Sequence, residues 1–152
     1  MKIISLNTFS GRIYEPLMKF FTEHQDVDVF CLQEIHHESE GKEKVFLDDA
    51  FNLFNDIGNL LPNHRGVFQP NLEDFWGLAM FIKKDIHVVS VESIKTFLHD
   101  ESKVMSDDNY PRHLQHVTLE LNGEQVSIIN LHGVHGAGKM DTPERLEQFS
   151  NT

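Results

Sequence analysis

The chain has 152 residues, of which 39% are hydrophobic and 24% charged, and its formal net charge is −11. These values are ordinary for one globular domain with one core and exclude a disordered chain, while the acidic surplus disfavours an unaided non-specific binder of polyanions. The single cysteine cannot form an intrachain disulfide. The sequence contains neither a signal peptide nor a stretch apolar enough to span a bilayer, which predicts a cytoplasmic protein.

The first sixty residues alternate between short apolar runs and helical periodicity. Residues 3–7 predict a buried strand that ends at Asn7, and apolar residues at helical spacing over 13–21 predict a helix. Residues 26–34 predict a second strand, too uniformly apolar to have a wet face. Spacings of three and four over 41–61 predict a second amphipathic helix of about five turns.

The rest of the chain is typical of strands. The clearest pair is joined by Asn122-Gly123, whose two residues suit the positive-φ positions of a type I′ hairpin turn. Residues 99–109 are polar and acidic and predict a loop, and Thr142-Pro143 predicts a helix start. The five predicted strands cover residues 66–69, 77–82, 86–97, 112–121 and 125–132.

Asn7 and Glu34 both end apolar strands, where sheets flanked by helices place reactive groups. A carboxylate there suits Mg²⁺, a hard ion that takes oxygen ligands and is often held by one or two carboxylates plus substrate phosphate. The alternative is that Glu34 is simply the first solvated residue after its strand. Spacing alone leaves both interpretations open.

Asn130 and His132 lie two apart on the last predicted strand, so their side chains share one face. A histidine there can donate to a phosphoryl oxygen, with Asn130 orienting it, although a structural histidine satisfies the same pattern. Arg112 begins the partner strand of the hairpin. Its forked guanidinium can hold a phosphate, and a surface salt bridge is the alternative.

Two pairs of adjacent residues, one of histidines and one of aromatic residues, each allow two interpretations. His36 and His37 are adjacent and therefore point apart along a strand, which favours a solvated loop over a metal site. Phe75 and Trp76 can form an aromatic wall against a flat substrate group, or can belong to the core.

Residues 133–139 fit the G-x-x-x-x-G-K part of a nucleotide-binding loop. Against that interpretation, Met140 stands where a Ser or Thr hydroxyl should meet Mg²⁺, and the next helix is predicted to begin later, at Pro143. A nucleotide-binding protein that uses Lys139 therefore remains a minor alternative.

The ordered combination of these motifs resembles the endonuclease/exonuclease/phosphatase superfamily over nearly the whole chain. The Leu-Gln-Glu element at 32–34 is the most specific part. The segments that carry the resemblance are KIISLN at 2–7, DVFCLQEI at 28–35, WGLAMF at 76–81, INLH at 129–132 and DTPERLEQ at 141–148.

The resemblance implies a DNase I-like α+β fold, a four-layer sandwich of two packed β-sheets flanked by helices. It implies a metal-dependent phosphodiesterase, nuclease or phosphatase that uses Mg²⁺, with Mn²⁺ as a substitute. Glu34 matches the family's metal ligand, Asn7 its active-site asparagine near the metal, and His132 its phosphate-contacting histidine. Arg112 is similar to a substrate-side arginine, and Asn130 is expected with it as a second substrate-binding residue.

Family members continue through Gly-Asp-x-Asn and Asp-His elements, and this sequence contains no Gly-Asp or Asp-His dipeptide. Residues 1–152 are therefore expected to form a single truncated domain, impaired or inactive alone, whose phosphoester substrate is either a small molecule or a nucleic acid. A second hypothesis is a non-catalytic module that associates through exposed sheet edges, for example as a homodimer.

Overall fold

The computed structural model describes residues 1–42, 48–97, 112–133 and 143–150. In chain order, strand β1 is followed by a 3-10 turn and helix α1, strand β2, helix α2, five further strands and helix α3. The bounds are β1 Ile3–Asn7, the 3-10 turn Phe9–Gly11, α1 Tyr14–Glu23, β2 Val29–His36, α2 Leu53–Leu60, β3 His64–Leu72, β4 Trp76–Lys83, β5 His87–Phe97, β6 Arg112–Leu121, β7 Glu124–Leu131 and α3 Pro143–Ser150.

The strands form two sheets. The first has the order β1-β2-β4-β3, in which β1 and β2 are parallel and the other pairs are antiparallel. The second has the order β5-β6-β7 and is antiparallel throughout. Because β1 and β2 are parallel, their carboxyl ends lie at the same edge of the first sheet.

The core has two layers, one on each face of the first sheet. Phe30 and Leu32 of β2 pack with the apolar faces of α1 and α2, whereas Val29 and Cys31 face Met80, Val117 and their neighbours between the sheets. Burial raises the pKa of the Cys31 thiol to about 11, as expected for a core residue. Two packed sheets flanked by helices are the predicted architecture, which is confirmed.

Two sequence predictions need correction. Strand β2 does not end at Glu34 but continues to His36, with a register shift between Gln33 and Ile35. The helix predicted over 41–61 is much shorter, since α2 begins at Leu53 and residues before it form turns. Its predicted part over 43–47 lies outside the described residues.

The predicted hairpin turn is confirmed, since Asn122 and Gly123 have φ values of 53° and 82°. The predicted loop over 99–109, most of the glycine-rich segment including Lys139, and Thr142 lie outside the described residues. In the parts of the chain that the structure describes, no helix is both long and apolar enough to cross a membrane.

Gly77 allows β3 and β4 to pair closely, and replacing it by alanine is expected to destabilise the fold. An added Cβ would lie 2.1 Å from the Gln69 carbonyl oxygen and 2.8 Å from Pro70 Cα, and backbone atoms cannot move aside cheaply. We expect Gly77→Ala to lower the free energy of unfolding by about 2 kcal/mol or more. Urea unfolding followed by circular dichroism measures the change.

Gly58→Ala is the matched control. Gly58 lies in α2, and an added Cβ would meet the Phe81 ring at an ordinary contact distance of 3.6 Å. Because alanine favours a helix interior over glycine, this variant should be stabilised by about 0.5–1 kcal/mol. Equal effects of the two substitutions would contradict the close approach of β3 and β4.

Candidate functional site

Asn7 and Glu34 meet at the edge where β1 and β2 end side by side. Asn7 is paired in register with Gln33, one residue before Glu34. The Asn7 amide donates through Nδ2 to Glu34 Oε1 at 2.9 Å, and its Oδ1 accepts the Phe9 backbone N–H at 2.8 Å. The amide is therefore fixed in one orientation, and it directs the Glu34 carboxylate.

Glu34 occupies a bulge in β2 with a left-handed backbone conformation, φ 59°. Such a conformation in a non-glycine residue costs on the order of 1–3 kcal/mol and needs support from its surroundings. Thr8, 1% exposed, gives that support. Its hydroxyl lies 2.9 Å from the carbonyl oxygens of both Gln33 and Glu34 and donates to them, and its backbone N–H donates to Gln33 at 3.0 Å.

His132 reaches the same carboxylate from the second sheet. It follows β7 directly, and its Nε2 lies 3.6 Å from Glu34 Oε1. Arg112 Nη1 lies 3.0 Å from His132 Nδ1. A guanidinium can only donate, so Nδ1 accepts and the ring hydrogen of a neutral His132 sits on Nε2, toward Glu34.

Arg112 is 1% exposed, so the alternative of a surface salt bridge is wrong. Asn130 is also 1% exposed and lies between the sheets, where its Nδ2 donates to Leu32 O at 3.0 Å and Ala79 O at 3.2 Å. Its Oδ1 accepts from Gln33 Nε2 at 2.7 Å. The side chain thus ties β7 to the strand that carries Glu34.

A second polar group lies beside the site. Arg12 donates through Nε to Asp49 Oδ1 at 2.8 Å, and Asp48 Oδ1 is 3.7 Å away. The hydrogen bond to Asp49, with the charges of Asp49, Asp48 and Glu34, raises the pKa of Arg12, so that this guanidinium stays charged near a carboxylate of the site.

His36 belongs to the same group and is not in a solvated loop. It is 2% exposed, stacks on Phe75 with ring centroids 6.2 Å apart, and has Nε2 3.2 Å from Asp49 Oδ2 without the alignment of a hydrogen bond. Burial lowers the pKa of His36, against a smaller opposing effect of Asp49. His36 is therefore neutral in the folded protein at neutral pH.

Folding stability should fall as pH drops below about 6.5, where an unfolded histidine takes up a proton that His36 in the fold resists. Its contribution to the slope is at most about 1.4 kcal/mol per pH unit. Urea unfolding at pH 7 and pH 5 should show a smaller pH difference in His36→Gln than in the unchanged protein. His87→Gln, at a 70% exposed side chain, is the control; equal pH differences in all three proteins would contradict the prediction.

The structure brings together three of the predicted site residues, Asn7, Glu34 and His132, and places Arg112 behind His132. Sequence reasoning missed Thr8, Arg12 and Asp49. Their partners are 25 to 37 residues away along the chain, so no local pattern marks them. Among the described residues, no three His, Cys, Asp or Glu side chains converge as a ready-made metal cage.

Several solved structures share this architecture. An endonuclease/exonuclease/phosphatase family protein from Leptotrichia buccalis aligns over 99% of this chain with a TM-score of 0.65 and 14% identity. A mannosyl-6-phosphatase from Bacteroides thetaiotaomicron aligns over 91% with a TM-score of 0.59 and 20% identity. ANGEL2, a 2′,3′-cyclic phosphatase, aligns over 79% with a TM-score of 0.54 and 18% identity. This chain has the endonuclease/exonuclease/phosphatase fold.

The chain spans only part of these proteins: 62%, 48% and 31% of their respective lengths. No family model and no curated protein matches the sequence. The endonuclease/exonuclease/phosphatase fold therefore rests on structural likeness, and at these identities the likeness establishes the fold alone.

Proposed function

We propose that this chain carries the metal- and phosphate-binding part of a divalent-metal-dependent phosphoester hydrolase. The observation that carries the proposal is the meeting of Asn7, Glu34 and His132 at one carboxylate oxygen, Glu34 Oε1. Asn7 and Glu34 lie on two strands of the first sheet, and His132 directly follows β7 of the second. Two proteins of the same fold are named for phosphoester chemistry, a sugar phosphatase and a cyclic phosphatase. They support the reaction class and leave the substrate open.

Glu34 fits a hard divalent cation. Its side chain is 21% exposed, so one carboxylate faces water while Asn7 holds it. Mg²⁺ is typically bound by one or two carboxylates together with water and substrate phosphate. Zn²⁺ needs three or four convergent protein ligands. When bound, Mg²⁺ or Mn²⁺ would polarise a phosphoryl oxygen and stabilise developing negative charge. Asn7 is proposed as the second residue at the metal, where its donation from Nδ2 to Glu34 Oε1 holds the carboxylate in place.

His132 is proposed to donate its Nε2 hydrogen to a phosphoryl oxygen of the substrate. Arg112 supports this donation from the other side of the ring. Its hydrogen bond to Nδ1 fixes the tautomer, and its guanidinium adds positive charge next to the ring. Asn130 and Arg112, both buried, act as positioning residues in this proposal. They fix the position of His132 relative to Glu34, and both are too buried to contact a substrate.

The experiment is a hydrolysis assay on the natural protein at its full natural length. Release of p-nitrophenol from p-nitrophenyl phosphate and from its bis ester is measured with Mg²⁺, with Mn²⁺ and with EDTA. The proposal expects activity with either metal and its loss with EDTA. Activity that survives chelation contradicts it, and the ratio of rates on the two esters distinguishes a monoesterase from a diesterase.

A second candidate is an association module, favoured by apolar residues on strands at sheet edges. Ile3 on β1 is 45% exposed and Ile129 on β7 is 55% exposed. Exposed edge strands invite pairing with another chain. Light scattering after size exclusion should then show a mass that rises with concentration, and a constant monomer mass would contradict this candidate.

A further inference from the structure

The segment that follows β1 holds a bulky side chain in a conformation that favours glycine. Phe9, Ser10 and Gly11 have φ values of 52°, 51° and 75°. Gly11 adopts its value without steric cost, but an aromatic residue does so only when its surroundings enforce it. Backbone strain of this kind clusters at binding and catalytic sites, and here it lies two residues from Asn7.

The Phe9 ring is exposed to water and contacts a cation. Phe9 is 53% exposed, so the ring is not held there by core packing. The guanidinium of Arg12 lies over the ring, 5.0 Å from its centroid. Arg12 is itself held by Asp49, whose side chain is 2% exposed. The ring is thus backed by a fixed cation.

The backbone of Phe9 is also linked to the proposed site. The Phe9 N–H donates to Asn7 Oδ1, and Asn7 Nδ2 donates to Glu34 Oε1. Trp76, the first residue of β4 in the same sheet, donates through Nε1 to Ser10 Oγ at 3.4 Å, and its ring centroid lies 5.8 Å from that of His132. Two aromatic residues are therefore linked to the proposed site, Phe9 through its backbone to Asn7 and Trp76 through its ring to His132.

A single exposed phenylalanine is common on protein surfaces and needs no function. That interpretation accounts for the exposure of Phe9 but not for its left-handed backbone, its cation or its link to Asn7. A rigid aromatic face with a guanidinium behind it is what stacks on a flat ring, such as a nucleotide base.

We propose that Phe9, backed by Arg12, is a stacking platform for a flat ring attached to the substrate phosphoester. The substrate class is then a small phosphoester that carries an aromatic or heteroaromatic ring, with a nucleotide as the natural example. The inference rests on the proposed function for the phosphate end. The net charge of −11 favours a small ligand over a polyanionic polymer.

The experiment compares adenosine 5′-monophosphate with ribose 5-phosphate, which lacks the base. Calorimetric titration of the full-length protein in the presence of Ca²⁺ gives the affinity for each ligand. Released inorganic phosphate is measured in the same samples, so that titrations in which the ligand is hydrolysed are set aside. The unchanged protein should bind the nucleotide about tenfold more tightly. Glycine at position 9 suits the positive φ, so Phe9→Gly should keep the backbone while removing the ring. Its affinity for the nucleotide should fall to that for ribose 5-phosphate.

Two further variants separate stacking from folding. Phe9→Trp keeps a flat ring and should keep the preference for the nucleotide. Ile13→Ala removes a neighbouring apolar side chain that is 57% exposed, and should leave the preference unchanged. Equal binding of the two ligands by the unchanged protein, or an unchanged preference in Phe9→Gly, overturns the platform alone. Failure of both ligands to bind overturns the platform and the proposed function together.

Discussion

Glu34→Gln is expected to lower the metal-dependent rate of phosphoester hydrolysis by about a thousandfold. The substitution keeps the size of the side chain and its ability to accept from Asn7, whose amide lies 2.9 Å away, but removes the negative charge. A bound metal stabilises the transition state by several kcal/mol, and each 1.36 kcal/mol is a factor of ten in rate, so roughly 4 kcal/mol gives this loss. Initial rates at saturating Mg²⁺ measure it.

Glu38→Gln is a matched control, because Glu38 is an exposed glutamate four residues on with a similar left-handed backbone, φ 53°. It should retain the rate within about twofold, since surface substitutions rarely cost more than about 0.5 kcal/mol. Thermal unfolding of both variants checks that neither has lost its fold. A rate for Glu34→Gln close to that of Glu38→Gln would show that the site lies elsewhere.

Asn130→Ala is expected to lower the free energy of unfolding by about 3 kcal/mol. Alanine would remove the amide that donates to the buried carbonyl groups of Leu32 and Ala79. Gln33 would lose its shortest hydrogen bond and keep those to Ser5 and Cys31. Each unsatisfied buried polar group costs about 1–3 kcal/mol. For a chain of this size the change corresponds to a fall in Tm of roughly 6–12 °C, measured by calorimetry.

Asn59→Ala is the control for that variant. Asn59 is exposed in α2, where alanine is a good helix former. We expect no loss of stability there. If Asn130→Ala were as stable as this control, the inter-sheet amide contacts would contribute nothing, and the positioning of His132 would need another explanation.

The sequence patterns predicted the sheets well because their signals are local. Alternation of apolar and polar residues marks β6 and β7, and the Asn122-Gly123 turn sets their register through two positive φ values. The helix predicted over 41–61 was wrong in length because apolar spacings of three and four occur by chance in turns. Only Leu53–Leu60 forms α2.

The candidate site was predicted in part. Asn7 and Glu34 were found because each follows an apolar run, and parallel pairing of their strands brings them together. The bulge at Glu34 was not predictable, because its support comes from the Thr8 hydroxyl, which donates across 26 residues of sequence. The burial of Arg112 and the Arg12–Asp49 pair likewise depend on contacts between distant elements, which composition and spacing do not encode.

The most direct test of the central claim is the binding of Mn²⁺ to the natural protein, followed by electron paramagnetic resonance of the free ion. Because it does not require turnover, it reports on metal binding by Glu34 separately from any catalytic step. We predict that the unchanged protein and Glu38→Gln bind Mn²⁺ in competition with Mg²⁺, and that Glu34→Gln loses this binding. Equal Mn²⁺ binding by Glu34→Gln and the unchanged protein would contradict the assignment of Glu34 as the metal ligand.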